Sequence, residues 1–276
     1  LDYVPENLTL TRTVAMTSLH PIVTGGNVSE WGISPAPLSG LIFADGVLSG
    51  MPSVNQTTPV MYTIYANTTG GSVTHTINIT VFEPVVDLFY NPENQTFIRM
   101  EQAIAWSPTV SGGVPETWAI EPALPNGLVF DNGTISGSPT VNLTTTQYTV
   151  WANNSGGSTT TSINITINEP APEVKYIPSD LILTRGTAMA TLQPNVTGGS
   201  IETWAIEPDI PNGLSFVDGI ISGTPTAIQN QTQYVVWANN SGGTLVAYLN
   251  ITILDIIPEI SYTPENFTLT NNTTTI

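Results

Sequence analysis

The chain has 276 residues and a formal net charge of −17 at pH 7, from 21 carboxylates against four basic residues. Binding to nucleic acid or to an anionic membrane needs clustered cations, so this charge excludes both as partners. Cysteine is absent, which excludes disulfides, thiolate metal sites and a cysteine nucleophile.

Only 9% of the residues are charged, so the solubility of the chain must come largely from Asn, Thr and Ser. No run of 18 apolar residues is present, and no segment is therefore predicted to insert into a membrane. The start of the chain, residues 1–3, lacks the basic and apolar regions of a signal peptide. We expect the chain to be an excerpt from the interior of a longer protein.

The sequence repeats with a period of about 86 residues. Four tyrosines that open a repeat, Tyr3, Tyr90, Tyr176 and Tyr262, lie 87, 86 and 86 residues apart. Three landmarks keep nearly the same step: a Gly-Gly pair, a tryptophan and a Ser-Gly pair. We predict domains at residues 1–86, 87–172 and 173–258, with residues 259–276 forming the first strand of a fourth repeat.

Short segments of alternating polarity, separated by Gly, Pro and Asn, predict an all-β fold with about seven strands in each repeat. The expected architecture is a rod of tandem Ig-like β-sandwiches, arranged as beads on a string. In the second repeat, the sequence predicts strands at 97–100, 103–110 and 116–120, a hairpin over 128–136 that turns at Asn132-Gly133, and a closing hairpin over 147–153 and 158–167.

Alternation in the closing hairpin assigns its two faces. Ile163, Ile165 and Ile167 alternate with polar residues, so they are predicted to face the core while Asn164 faces outward. The equivalent outward residues of the other repeats are Asn78 and Asn250. Trp31, Trp118 and Trp204 are predicted to pack in the core. Tyr65, Trp151 and Trp237 should lie on the opposite face, where they stack either on a sugar or on local side chains.

The ordered motifs of the second repeat also carry a family resemblance. They are WAIEPALPNGLVFDNGTISGSPT, which starts at Trp118, followed by YTVWANNSGGSTTTSINITI, which starts at Tyr148. The sequence resembles the putative Ig domains, related to cadherin-like dystroglycan-type domains, that occur in tandem on large bacterial and archaeal surface proteins. The resemblance covers essentially the whole chain. It implies an extracellular Ig-like module, with no enzyme activity and no single ligand.

The motif Asn-x-Ser/Thr, the acceptor sequon of N-glycosylation, is far more frequent than composition explains. Of the 23 asparagines, 17 lie in this motif. With 62 Ser and Thr residues in the chain, random placement would give only about five such motifs. We expect N-glycans on several of these sites, above all on the outward Asn78, Asn164 and Asn250, although the residues also suit turns and strand surfaces. The candidate acceptors are Asn7, Asn27, Asn55, Asn67, Asn78, Asn94, Asn132, Asn142, Asn153, Asn164, Asn195, Asn230, Asn239, Asn250, Asn266, Asn271 and Asn272.

Acidic residues recur at each predicted domain junction. Cadherin-like domains bind calcium at acidic junctions, and the resemblance therefore implies candidate calcium sites at these junctions. The dense Asp-rich runs that usually form such sites are missing here. The alternative is a solvated linker stiffened by proline. The junction acids are Glu83, Asp87, Glu169, Glu173, Asp255 and Glu259.

Arginine occupies one repeat position, at Arg12, Arg99 and Arg185. We expect these arginines to form salt bridges with the recurring glutamates Glu30, Glu116 and Glu202. No metal is otherwise predicted.

No catalytic residues are predicted. His20 and His75 do not recur and have no partnered nucleophile, and carboxylate pairs within a strand, such as Glu116 and Glu121, imply no cleft.

The favoured function is a glycosylated stalk or spacer of a cell surface, with neighbouring repeats of the same protein as partners. The alternative is an adhesin that binds glycans or another surface through loops such as residues 112–116. A third hypothesis is a filament, in which the strand at 265–270 completes the sandwich of a neighbouring copy. Dense sequons in a domain of prokaryotic type favour an archaeal source.

Overall fold

The structure is a computed structural model that describes residues 1–261, apart from the side chain of Ile104. All regular secondary structure in this described range is β-strand, which confirms the predicted all-β class. The chain divides into two compact units, Leu1–Asn168 and Glu169–Ile276. Of the predicted fourth-repeat strand, residues 262–276 lie outside the described part of the chain, and so do Asn266, Asn271 and Asn272.

Unit 1 begins with the first repeat, in which a four-stranded sheet has the order β1-β6-β5-β2 and β3 and β4 form a separate hairpin. The first strand pairs in parallel with the last, so that both run toward the same end of the sheet. The other pairs of the sheet are antiparallel. The strands are β1 (Asn7–Thr11), β2 (Glu30–Ser34), β3 (Leu41–Ala44), β4 (Val47–Gly50), β5 (Gln56–Thr68) and β6 (Gly71–Phe82).

The second repeat completes unit 1 with the same main sheet, in the order β11-β14-β15-β8, and again the first of these strands in sequence pairs in parallel with the last. Two smaller sheets, β12-β13-β9 and β10-β7, cover the core. The strands are β7 (Val86–Phe89), β8 (Asn94–Ile98), β9 (Ala103–Trp106), β10 (Thr109–Gly112), β11 (Thr117–Glu121), β12 (Leu128–Asp131), β13 (Thr134–Gly137), β14 (Leu143–Asn154) and β15 (Gly157–Asn168).

The first half of the second repeat differs from the prediction. Strand β8 begins three residues earlier than expected, and the short strand β7 precedes it. The predicted strand at 103–110 is two strands, β9 and β10, divided at Pro108, which has no N–H to donate to a ladder. Strand β7 was not predicted, because its four residues become a strand only through antiparallel pairing with β10. Both predicted hairpins are present, and Asn132 turns the first with a φ of +47°.

Unit 2 contains the third repeat, whose main sheet has the order β17-β23-β22-β19 with β17 parallel to β23. The named strands number six, nine and eight in the three repeats, against the predicted value of about seven. The strands of unit 2 are β16 (Glu173–Lys175), β17 (Asp180–Thr184), β18 (Asn195–Thr197), β19 (Thr203–Glu207), β20 (Leu214–Val217), β21 (Ile220–Gly223), β22 (Gln229–Asn240) and β23 (Gly243–Leu254).

Each repeat has its own hydrophobic core, formed largely by the closing hairpin. Ile163 and Ile165 are fully buried and Ile167 is 2% exposed, while Asn164 between them is half-buried on the outer face. The predicted face assignment is confirmed. Full burial of each such aliphatic side chain contributes about 1.5–3 kcal/mol to stability.

The recurring aromatic residues also lie on the predicted faces. Trp31, Trp118 and Trp204 pack against the three cores. Tyr65 is 37% exposed and lies between the buried Ile64 and Ala66 on the opposite face, and Trp151 and Trp237 lie there too.

The tryptophan of the second repeat covers the turn of the β12-β13 hairpin. A Cβ at Gly133, whose φ is +82°, would lie 2.7 Å from the Trp118 ring. Both the backbone conformation and this close contact therefore require glycine at the turn.

The opening tyrosines connect to the same turns. Tyr3 and Tyr176 are buried and donate hydrogen bonds of 2.6 Å to the carbonyls of Gly46 and Gly219, and Tyr90 bonds the carbonyl of Gly133 in the same way. These contacts explain why the tyrosine and the turn glycine recur together.

Tyr176→Phe is expected to lower the free energy of unfolding of unit 2 by about 1–2 kcal/mol, because it leaves the buried Gly219 carbonyl without a donor. The matched control is Tyr248→Phe in the same unit, at a tyrosine that is 58% exposed, and this change should be nearly neutral. Urea unfolding of both variants measures the difference, and equal effects would contradict the role of the hydroxyl.

Alkaline pH should destabilise the first repeat through Tyr3. Burial raises the pKa of Tyr3 from 10.0 to about 12, so the unfolded chain releases this proton at lower pH than the folded chain does. The stabilisation is complete below pH 10 and is lost as pH rises through about 12. We expect Tyr3→Phe to flatten this part of the stability profile, measured by urea unfolding at a series of pH values. An unchanged profile would exclude Tyr3 as its source.

Candidate functional site

The segment between the first and second repeats, residues 83–85, is held in place on both sides. On the side of the first repeat, the Glu83 carboxylate accepts two hydrogen bonds from the Arg12 guanidinium, from Nε to Oε1 and from an Nη to Oε2, each 2.7 Å long. Glu83 is only 7% exposed. Such a paired, two-bond geometry is the strongest form of arginine–carboxylate contact. The hydrogen bond with Glu83 raises the pKa of Arg12.

The predicted pairing of the arginines with Glu30 and its counterparts is wrong for Arg12 and for Arg185. Arg12 follows β1, and Glu83 follows β6, which is the parallel neighbour of β1. Glu30 begins β2, at the far edge of the sheet, where it accepts a hydrogen bond from the amide of Asn67. The strand order therefore separates the residues that the repeat spacing had suggested as partners. In unit 2, Arg185 pairs likewise with Asp255, at 2.6 Å.

The second repeat binds the backbone of the same linker. The amide N–H of Glu83 donates to Ser155 Oγ at 3.0 Å, and the Asn154 side chain donates to the carbonyl of Pro84 at 2.8 Å. Gly156 completes the contact, since a Cβ on it would lie 2.0 Å from the Glu83 carbonyl oxygen. Only glycine allows the two backbones to approach so closely.

Unit 2 contains an equivalent arrangement at its own start. The N–H of Glu169 donates to Ser241 Oγ at 2.9 Å, Asn240 donates to the carbonyl of Pro170 at 2.8 Å, and Gly242 lies against the Glu169 carbonyl. We call the tripeptide that makes these contacts the linker clamp, which is residues 154–156 in the second repeat and 240–242 in the third. The recurring tripeptide Asn-Ser-Gly therefore binds the linker backbone, a contact that the spacing of the repeats did not reveal.

The corresponding tripeptide of the first repeat, residues 68–70, has a different chemistry. Thr68 stands where the clamps have asparagine, and its hydroxyl bonds within its own turn, to the carbonyl of Gly71 and the N–H of Gly70. A Cβ on Gly70 would meet only the Thr68 hydroxyl, 3.7 Å away. Within residues 1–261, the clamp contacts are therefore made by the second and third repeats.

The loop that the sequence singled out for adhesion lies beside the linker. The backbone of Gly113 donates to the carbonyl of Val85, and β10, which ends at Gly112, pairs with β7. The start of this loop therefore contacts the protein's own chain.

The junction acids are mostly occupied by partners from the protein. Beyond the arginine pairs of Glu83 and Asp255, Asp87 accepts a hydrogen bond from Ser111 and Glu173 accepts one from Thr197. Within residues 1–261, the side chains grouped closely enough to hold a metal ion are Asp2, Glu6 and His75, whose ligand atoms all lie within 4.8 Å of one another. This group lies in the first repeat, and sequence reasoning did not select it.

The sequon asparagines of the described residues fall into two structural groups. Six are half-buried and donate a hydrogen bond through Nδ2. The other eight are exposed. The three outward asparagines that the sequence favoured most, Asn78, Asn164 and Asn250, belong to the first group.

The repeated two-layer arrangement, with a four-stranded sheet packed against smaller sheets over one core, defines a chain of tandem Ig-like domains. Residues 83–168, which span the second repeat, match the model of the family described as Putative Ig domain. The comparison with curated proteins returned no match. In residues 1–261, no helix is long and apolar enough to cross a membrane.

Several solved structures of tandem Ig domains are similar to this chain at low identity. An I-band fragment from titin is 14% identical, with 93% of this chain and 98% of that chain covered and a TM-score of 0.42. Drosophila OTK extracellular domains 3–5 are 14% identical, with coverages of 90% and 94% and a TM-score of 0.41. The N-terminal Ig domains of Down Syndrome Cell Adhesion Molecule are 13% identical, with coverages of 91% and 36% and a TM-score of 0.42.

Proposed function

We propose that this chain is a structural, non-catalytic spacer on the outside of a cell, in which tandem Ig-like domains form an N-glycosylated stalk. The observation that carries the proposal is the clamped linker of unit 1. Residues 83–85 are fixed by an ion pair to the first repeat and by the clamp to the second. A spacer needs such linkers, because a freely jointed chain of domains would not hold its ends apart.

N-glycosylation is supported by the number of sequons and by the weakly charged surface. Glycans would hydrate a surface that carries few ions, and they would cover sheet edges that could otherwise pair with neighbouring molecules. If the sequons carry such glycans, the chain lies outside the cell.

The adhesin alternative finds less support in the described residues. Its candidate loop begins at a strand that pairs with the chain's own β7, and the second and third repeats use the same clamp residues. A filament that assembles by strand donation remains a separate hypothesis, because residues 265–270 lie outside the described part of the chain.

Calcium at the junctions also stays a prediction. An ion at Glu83 would have to displace Arg12, since both carboxylate oxygens already accept hydrogen bonds from it. A rise in melting temperature with added calcium, reversed by a chelator, would establish the ion.

Intact-mass spectrometry of the native protein, combined with small-angle X-ray scattering, tests the proposal. We expect a mass above that of the unmodified polypeptide, to which these 276 residues contribute 29.4 kDa, and a maximum dimension that fits an extended row of domains. An unmodified mass would remove the glycans from the proposal. A compact particle would overturn the spacer itself and would favour adhesion through the loops.

A further inference from the structure

We propose that, among residues 1–261, the fold selects which sequons carry glycans, with the exposed asparagines as acceptors and the half-buried ones as internal hydrogen-bond donors. This inference rests on the N-glycosylation proposed above and concerns the position of the sugars. The proposed acceptors are Asn7, Asn27, Asn55, Asn94, Asn132, Asn142, Asn195 and Asn230. The proposed internal donors are Asn67, Asn78, Asn153, Asn164, Asn239 and Asn250.

The chemistry of transfer depends on the state of the amide nitrogen. The step forms a bond between Nδ2 and the anomeric carbon of a sugar whose donor is a lipid-linked phosphate or diphosphate. The bond from that carbon to the phosphate oxygen breaks, the oxygen keeps the electron pair, and the nitrogen loses one proton to a base. A nitrogen that is exposed and not hydrogen-bonded to the fold can enter this reaction, whereas a bonded one must first give up its contact.

The internal donors form two rows that repeat along the chain. In the outer face of the main sheets, Nδ2 of Asn78 donates to Asn7 at 2.9 Å, and that of Asn164 donates to Asn94 at 2.7 Å. In the third repeat, Asn250 donates to the carboxylate of Asp180 at 2.7 Å. All three contacts join the first strand, in sequence order, of the four-stranded sheet to its parallel neighbour, and they follow the strand register.

The second row lies at the start of the closing turn. Nδ2 of Asn153 donates to Thr117 at 3.2 Å, and the equivalent Asn239 donates to Thr203 at 3.1 Å. The hydroxyls of these two sequons are also occupied, because Ser155 and Ser241 accept the linker N–H groups of the clamps. In the first repeat, Asn67 donates to Glu30 at 3.2 Å.

Exposure divides the asparagines in the same way as hydrogen bonding does. All six internal donors are half-buried, and all eight proposed acceptors are exposed. Within residues 1–261, none of the eight donates a hydrogen bond from Nδ2; Asn7 and Asn94 only accept one through Oδ1. Exposure and the absence of an Nδ2 hydrogen bond therefore select the same eight positions among residues 1–261.

Glycopeptide mapping of the protein purified from the cells that make it is the first test. We expect the occupancy of the eight exposed sites to exceed that of the six internal sites by about fivefold, the factor for one hydrogen bond of about 1 kcal/mol. Similar occupancy in both groups would overturn the inference and leave glycosylation intact. Absence of sugar from every site would overturn both.

A pair of variants at one position separates hydrogen bonding from exposure. Asn94→Ala removes the acceptor of the Asn164 amide, and Asn94→Asp keeps a carboxylate oxygen there, as Asp180 does naturally in the third repeat. Neither variant has a sequon at position 94, so neighbouring sugars are equal in both. We expect occupancy of Asn164 to rise several-fold in the alanine variant only. Equal occupancy in the two variants would overturn the role of the hydrogen bond.

Discussion

Gly156→Ala should release the linker between the first and second repeats. The new Cβ would lie 2.0 Å from the Glu83 carbonyl oxygen, and because this is a backbone atom, the clamp has to open. We expect the local stability of the linker contact to fall by roughly 2–3 kcal/mol, with hydrogen exchange at the Glu83 amide faster by about 30-fold or more. Hydrogen exchange resolved to this amide measures the change.

The matched control for this prediction is Gly70→Ala, at the equivalent position of the first repeat. Its Cβ would meet only a side-chain hydroxyl, 3.7 Å away, so the change should stay within about 0.5 kcal/mol. Comparable exchange rates in the two variants would mean that the clamp does not depend on close backbone contact at Gly156. Gly242→Ala should reproduce the effect at the Glu169 amide, where the Cβ would approach the carbonyl to 1.9 Å.

Arg12→Ala should lower the melting temperature of the first repeat by roughly 5 °C, because it leaves the Glu83 carboxylate 7% exposed and without its cation. Without its partner, the buried Glu83 carboxylate lowers the free energy of unfolding by the full desolvation penalty of its charge. Differential scanning calorimetry measures the shift, and hydrogen exchange near residue 83 should rise in parallel.

Arg185→Ala serves as the control, since Arg185 and its partner Asp255 have 44% and 57% of their side chains exposed. Exposed pairs contribute little to stability, and the melting temperature of unit 2 should change by no more than about 2 °C. If both variants lost the same stability, burial of Glu83 would not be the reason for the effect at Arg12.

Together these contacts explain why the linker between the first and second repeats is held in place. In unit 1, residues 83–85 have a charged side chain bonded to one repeat and a backbone bonded to the other. The Asn-Ser-Gly motif of the clamp is also part of a sequon, Asn153-x-Ser155. The clamp and the sequon therefore share residues. The hydrogen bonds of Asn153 and Ser155 favour the contact with the linker over sugar attachment.

The sequence by itself determined the repeat, the all-β class, the two hairpins of the second repeat and the buried face of each closing strand. These features follow from local rules, because side chains alternate with a period of two and Asn-Gly pairs favour tight turns. The buried Ile163, Ile165 and Ile167 needed no knowledge of any other strand.

Only the tertiary structure decided which residues meet across strands. Arg12 binds Glu83, 71 positions away, because the first strand of the repeat pairs in parallel with the last. The same pairing occupies the amide of Asn164 with Asn94, and the turn after β14 brings Ser155 to the linker. Strand order and register fix these contacts, and both are set by the packing of the whole repeat. The spacing of residues along the chain carries no direct information about that packing.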